Sequence, residues 1–102
     1  MTLAEFGELL DKTGLPVAYR SFNGKTPQLP YICYLNPYDN NFSADGKVYS
    51  VAKHIQVELY TKLKDEAIEE KVKEALSEFY YTRNEEYLQD EKCWQIIFEL
   101  EV

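Results

Sequence analysis

The stretch Lys47–Phe79 changes its hydrophobic period halfway along, and this change constrains the fold more than any other feature. Its first half alternates between apolar and polar residues, with Val51, Ile55, Val57 and Leu59 as the apolar set. A period of two is typical of a β-strand with one buried face. In the second half, apolar residues recur every three or four positions, at Ile68, Val72, Ala75, Leu76 and Phe79. This spacing places them on one stripe of a helix. The stretch therefore predicts a strand that leads into a helix, each with a single apolar side.

A short helix is predicted at the beginning of the sequence. Thr2 and Glu5 have the spacing of a capping box, in which two otherwise unpaired amides at a helix start are satisfied. Gly14 ends the helix because glycine tolerates the left-handed conformation that follows a helix C-terminus. Gly7 lies inside the helix, where it either permits close approach of a neighbour or costs about 1 kcal/mol relative to alanine.

Strands are predicted on both sides of the central stretch. The first two cover Val17–Phe22 and Tyr31–Leu35, and Pro37 is expected to end the second because proline cannot donate to a strand ladder. A polar connection, Tyr38–Lys47, then closes on an Asp-Gly pair that is typical of a hairpin turn. We expect strands two and three to be antiparallel, with a tip that is mobile in the isolated protein.

The central helix is expected to begin after an N-cap at Asp65 and to lead into a last hairpin. Its arms are Tyr81–Leu88 and a strand in which alternate residues share one apolar face, namely Trp94, Ile96, Phe98, Leu100 and Val102. The predicted order is α-β-β-β-α-β-β. This order favours one α+β domain over residues 1–102, with an antiparallel sheet of four to five strands and two helices packed on it.

The net charge of −7 is concentrated at one end of the sequence. Residues 1–63 hold six acidic and six basic residues, whereas residues 64–102 hold twelve acidic and five basic residues. This surplus argues against tight nucleic-acid binding, which requires clustered Lys and Arg. Solubility alone is a common reason for such a surface. We find no apolar run long enough to cross a bilayer and no pattern of a signal peptide, so we expect cytoplasmic synthesis and no membrane partner.

No residue pattern predicts catalysis, a metal or a cofactor. His54 is the single histidine, and its position on the polar side of a strand gives it no predicted nucleophile partner. Cys33 and Cys93 are too few and too separated in sequence for a zinc site, and we expect buried free thiols. The acidic loop Asp39–Asp45 lacks the glycine and the final acid of a calcium loop. We therefore expect no enzyme.

The nine tyrosines are the strongest indication of a protein interface. Tyrosine combines a large apolar ring with a polar tip and is enriched where proteins meet. Packing among tyrosines on the outer face of a sheet is the alternative. We predict a subunit interface that includes Tyr38, Tyr60, the tip residue Phe42, and Ile97, which is the apolar exception on the polar side of the last strand.

Several segments together resemble a family of small proteins from tailed phages and prophages. These segments are the tip Asn41–Gly46, the strand end Glu58–Thr61, the helix opening at Asp65, and the pattern Glu85-x-Tyr87-x-x-x-Glu91. The family is that of tail terminator, or head–tail joining, proteins. None of these motifs is catalytic, and no functional residue is carried over from the family.

The resemblance implies an α+β structural subunit that assembles as a homo-oligomeric ring, typically a hexamer. Such a ring ends the growth of the tail tube and docks the tail to the head, with DNA passing through its middle. The expected partners are tail-tube and head-connector proteins. The expected locations are the host cytoplasm during assembly and then the head–tail junction of the virion.

The last hairpin concentrates acidic residues that a ring could turn toward passing DNA. Glu85, Glu86, Asp90 and Glu91 lie there, followed by Glu99 and Glu101, and we expect folding to bring them together. A negative wall repels phosphates, so DNA would slide past it. Solvated surface charge is the simpler interpretation of the hairpin. A different function also fits the acidity: an intracellular phage protein that mimics DNA and binds a host nuclease or regulator.

Overall fold

The computed structural model describes residues 1–44 and 47–102, with side chains described for residues 1–40 and 51–102. It contains two helices and five strands in the predicted order. The helices are α1 (Leu3–Asp11) and α2 (Glu66–Ala75). The strands are β1 (Val17–Tyr19), β2 (Tyr31–Ala44), β3 (Lys47–Thr61), β4 (Tyr81–Leu88) and β5 (Cys93–Glu101). The predicted α+β class is confirmed.

The five strands form one sheet in the order β1-β2-β3-β5-β4. Three neighbouring pairs are antiparallel, but β1 and β2 are parallel, so the predicted antiparallel sheet is in fact mixed. β1 has only three residues, and its length gives no pattern from which the direction of pairing follows. Because β5 lies between β3 and β4, helix α2 connects two strands that run in the same direction without being neighbours.

The β2–β3 hairpin is longer than the sequence predicts. Pro37 does not end the strand: β2 and β3 remain paired as far as Ala44 and Lys47, with a register shift between Leu35 and Tyr38. Proline is tolerated there because β1 pairs only with residues 32–34, which leaves β2 at an open edge beyond them. The predicted Asp-Gly turn at positions 45–46 lies outside the described residues.

Both helices pack on one face of the sheet and form the core there. Phe6 and Leu10 of α1 and Val72 and Leu76 around α2 are fully buried against alternate residues of the central strands. The strand residues are Ile32 and Tyr34 of β2, Ile55, Val57 and Leu59 of β3, and Ile96, Phe98 and Leu100 of β5. The period-two pattern therefore has the predicted result, with every second residue of each central strand in the core.

Local caps fix where the helices begin. The amide of Glu5 donates to Thr2 Oγ1 at 3.1 Å and the amide of Thr2 donates to Glu5 Oε1 at 2.9 Å, which confirms the capping box. The amide of Ile68 donates to Asp65 Oδ1 at 3.1 Å, which confirms the second cap.

Phe79 lies beyond the end of α2 rather than on its stripe, yet its ring still packs on Phe6 at 5.9 Å between centroids. Among the described helices, neither is long and apolar enough to cross a membrane.

Candidate interaction surface

Both helices of the described chain, α1 and α2, pack on one face of the sheet, and neither of them covers the second face. Because side chains alternate across a strand, the neighbours of the core residues point to this face. We call it the helix-free face. The strand register places on it Tyr31, Cys33 and Leu35 of β2, His54, Gln56, Glu58 and Tyr60 of β3, Cys93, Gln95, Ile97, Glu99 and Glu101 of β5, and Thr82, Asn84, Glu86 and Leu88 of β4, and we define the face by these positions.

An aromatic row occupies one end of the helix-free face. The ring of Phe22, from the β1–β2 connection, meets Tyr31 edge-on at 5.3 Å between centroids. Tyr31 in turn packs against Tyr60, which is its register partner, at 5.1 Å. These side chains are only half-buried, so they leave aromatic surface accessible on a face that no helix covers.

Glu58 lies at the centre of this face and is held by uncharged donors. Gln56 Nε2 donates to Glu58 Oε2 at 3.0 Å, the hydroxyl of Tyr60 donates to Oε1 at 3.3 Å, and Gln95 Nε2 donates to Oε2 at 3.3 Å. Burial, reinforced by the negative charge of Glu58, raises the pKa of the Tyr60 hydroxyl. Tyr60 therefore remains a protonated donor at neutral pH, which suits its bond to the carboxylate.

The helix-free face carries an excess of negative charge. Its strand positions carry four carboxylates, Glu58, Glu86, Glu99 and Glu101, and none of the positions that define it is Lys or Arg. Glu99 Oε1 lies 3.1 Å from His54 Nε2, and Glu101 accepts a hydrogen bond from the Asn40 amide. A partner that covers this face without leaving its charges unpaired must supply cations.

The predicted interface residues lie mostly on or beside this face. Ile97 is near its centre and Tyr60 belongs to the aromatic row at one end, and both are half-buried. Tyr38 is at one end, where its ring stacks on His54 at 4.4 Å between centroids with 6° between the planes. The side chain of Phe42 lies outside the described part of the chain. Three of the four predicted residues are thus brought to one surface; whether that surface is a subunit interface stays a prediction.

The four acidic residues predicted to face DNA are not brought onto one surface. Glu86 points to the helix-free face, whereas Glu85 points to the helix side, where its Oε1 lies 2.6 Å from Arg83 and 3.0 Å from Lys64 Nζ. Asp90 and Glu91 are exposed in the turn between β4 and β5. Glu99 and Glu101 lie at the opposite end of β5 from that turn. Strand alternation separates charges that the sequence places side by side.

Glu69 is a structurally important carboxylate that the sequence analysis did not identify. It is only 3% exposed, its Oε1 lies 2.5 Å from Arg83, and its other oxygen pairs with Lys64. Burial on its own would raise the pKa of this carboxyl, but hydrogen bonds from Lys64 and Arg83 outweigh it and hold the pKa below its usual value. Its position one residue after Ile68, on the buried stripe of α2, is the sequence feature that distinguishes it from the exposed helix acids.

The cluster of Lys64, Glu69, Arg83 and Glu85 borders an open cleft of about 590 Å³. The two cations and two carboxylates of this cluster pair with one another, so their charges compensate within the cluster. These ion pairs join α2, and Lys64 just before it, to β4. We call the four residues the α2–β4 clasp.

The two cysteines and the histidine, which were considered for catalysis and metal binding, are buried or paired with other side chains. Cys33 and Cys93 are buried free thiols, as expected, and burial raises the pKa of each. His54 is stacked on Tyr38 and bonded to Glu99. Among the described side chains, which are those of residues 1–40 and 51–102, no three His, Cys, Asp or Glu residues are arranged to hold a metal ion.

The similarity of this chain to known proteins is a similarity of fold rather than of sequence. No protein-family model matches the chain. No curated protein matches its sequence. Among solved structures, a chain from the virion of a native gene transfer agent particle superposes with a TM-score of 0.60, over 92% of this chain and 83% of that chain, at 11% sequence identity. At that identity the likeness concerns the backbone fold, and the protein shares the fold of a chain found in a virion particle.

Proposed function

We propose that this protein is a structural subunit of a tailed phage, a prophage or a phage-like particle. The observation that carries the proposal is the shared fold with a chain of a gene transfer agent virion, which extends over 92% of this chain. The likeness includes most of the neighbour as well, 83% of its length, so it concerns a whole architecture rather than a common supersecondary motif.

We further propose that the subunit acts at tail completion, in a ring at the head–tail junction. This finer role comes from the sequence resemblance to tail terminator proteins. In it the chain is a homo-oligomer, typically a hexamer, that contacts tail-tube and head-connector proteins. It would be made in the host cytoplasm and then retained in the virion.

The helix-free face supports a role in assembly. Ring subunits must cover part of their surface with neighbours, and the half-buried aromatics and Ile97 on this face supply apolar area of the kind found at interfaces. The buried aliphatic residues on the helix side are already used by the core, so this face is the sheet surface that remains for contact.

The proposal assigns no catalytic step to the chain. The candidate groups have other uses: His54 bonds Glu99 and the thiols of Cys33 and Cys93 are buried with raised pKa values, which lowers their reactivity. The electrostatic cluster around Glu69 is internally neutralised. Reproducible turnover of any substrate by the purified protein would contradict this part of the proposal.

The decisive experiment tests whether the protein is present in assembled particles. Particles of the parent element are purified and their proteins identified by mass spectrometry, with tail length measured by electron microscopy in parallel. We expect the protein in intact particles. Deletion of its gene should give tails of uncontrolled length or tails without heads, and a plasmid copy should restore normal particles. Absence from particles, together with normal assembly after deletion, would reject the proposal.

The acidic helix-free face also favours a second candidate, a protein that mimics DNA and binds a basic host nuclease or regulator. Its four carboxylates without Lys or Arg at the defining positions are the specific observation. Such a protein would be recovered with a basic host partner at low salt and released at high salt. It would be dispensable for particle assembly, which separates this candidate from the first.

A further inference from the structure

One end of the helix-free face forms a notch that combines exposed aromatic rings with carboxylates. We call it the Tyr38 notch. It is an open cavity of about 440 Å³, lined among others by Tyr38, His54, Tyr80, Glu99 and Glu101. It brings together four strands, because β2, β3, β4 and β5 each contribute to it, with Tyr80 just before β4.

The aromatic rings of the notch are unusually accessible. Tyr38 is 54% exposed although one face of its ring stacks on His54. Tyr80 is 95% exposed. Large exposed aromatic groups are common at binding sites because they release much ordered water when covered.

The carboxylates of the notch lack a cationic partner from Lys or Arg. Glu99 bonds to His54, and Glu101 bonds to the uncharged Asn40 amide. Among the described side chains, no lysine or arginine pairs with either of them, in contrast to Glu69 and Glu85 on the helix side. The notch thus offers negative charge beside the exposed aromatic ring of Tyr80.

We propose that the Tyr38 notch binds an arginine side chain of a partner protein. A guanidinium is planar and stacks on an aromatic ring while its N–H fork donates to carboxylates, so it matches both features at once. A lysine ammonium satisfies the charge but not the stacking. A nucleic acid is disfavoured because its phosphates are repelled by Glu99 and Glu101. The inference rests on the proposed assembly role only for where the partner is found, since the binding chemistry belongs to the isolated chain.

The test exploits the single histidine of the chain. Its ring protons give one set of NMR signals, located within the notch. The purified protein is titrated with a blocked Gly-Arg-Gly peptide, with the citrulline peptide as an uncharged isostere and the lysine peptide as a charged one. We expect a saturable shift of the His54 signals with the arginine peptide, weaker with lysine and nearly absent with citrulline. High salt should reduce it, because the contact is ionic and exposed.

Variants then assign the contacts. Tyr80→Ala and Glu99→Gln should each weaken binding by about two- to fivefold, as expected for one exposed cation–π or ionic contact. Glu86→Gln is the matched control: it removes a carboxylate from the same face at the other end, and binding should be unchanged. Amide spectra of all variants verify that they are folded.

Three results would overturn the inference: a flat titration with the arginine peptide, equal binding of the citrulline peptide, or equal loss in Glu86→Gln. These results are independent of the proposed function. A flat titration in a protein that is found in particles rejects the notch alone, whereas arginine binding by a protein absent from particles rejects the assembly role alone.

Discussion

The hydroxyl of Tyr34 lies directly against the backbone of Gly7, where a β-carbon would overlap it. The same hydroxyl donates to the carbonyl of Leu3 at 3.1 Å, so β2 reaches across to the first turn of α1. Of the two explanations that the sequence leaves open for Gly7, the structure shows close approach. The missing side chain is what allows helix and sheet to meet at this point.

Gly7→Ala should therefore destabilise the protein, although alanine is the better helix former by about 1 kcal/mol. An ideal β-carbon would also lie 3.1 Å from Tyr34 Cζ, and overpacking of this kind costs about 1–3 kcal/mol. Urea denaturation measures the change. In a Tyr34→Phe background the cost of Gly7→Ala should shrink, because the nearest atom is gone. An equal cost in both backgrounds would contradict the overlap.

Glu69→Ala should be one of the most destabilising substitutions of a charged residue in α2. It leaves Arg83 and Lys64 without the buried carboxylate between them. Breaking a buried ion pair costs about 3–5 kcal/mol, and we expect about 2 here because both cations remain partly exposed. Glu70→Ala is the matched control, since its side chain is 71% exposed and its pair with Lys73 should contribute less than about 0.5 kcal/mol. Equal effects of the two substitutions in thermal unfolding would contradict the clasp.

The same clasp predicts sensitivity to acid. The pKa of Glu69 and that of Glu85 lie below the ordinary value of 4.5 in the folded protein. The unfolded chain therefore binds more protons in acid, so their contribution to stability is complete above about pH 4.5 and is lost as the pH falls through the folded pKa. The free energy of unfolding, measured from pH 7 to pH 3, should fall less steeply in Glu69→Gln than in the wild type. Parallel curves would show that Glu69 is not a source of the acid sensitivity.

Ile97→Glu should leave the fold intact and prevent assembly. The residue is half-buried at the centre of the helix-free face, so a charge there remains hydrated in the isolated subunit but is costly under a partner. We expect a native amide spectrum and failure to restore particles in a deletion strain. Asn84→Asp, at the register partner of Ile97 on the exposed edge strand β4, serves as the control and should restore them. Particle formation by both variants would exclude this part of the face from the interface.

The two thiols should react slowly until the protein unfolds. Burial, with a further contribution from Glu58 for Cys33 and from Glu91 for Cys93, raises the pKa of both groups and so lowers the thiolate fraction. At pH 8 a thiol reagent should modify both cysteines slowly in native protein and rapidly in urea. Rapid modification of either thiol in the native protein would contradict its burial.

The sequence by itself determined the identity and order of the elements. Hydrophobic period and capping residues are local properties, so the strand-to-helix change in Lys47–Phe79, the caps at Thr2 and Asp65 and the arm Tyr81–Leu88 follow from near neighbours in the chain. The alternation of β5 likewise predicted which of its residues enter the core.

Only the tertiary structure decided how these elements combine. The parallel β1–β2 pair, the continuation of β2 past Pro37 and the insertion of β5 between β3 and β4 depend on which strands are neighbours in space. The tertiary structure likewise decides where the charged side chains point and with which residues they pair. Glu85 and Glu86 are adjacent in sequence but face opposite sides of the sheet, and Glu69 becomes a buried partner of Arg83, fourteen residues away. Local patterns cannot reveal these relations because strand pairing and ion pairing are contacts between distant residues, chosen by the packing of the whole chain.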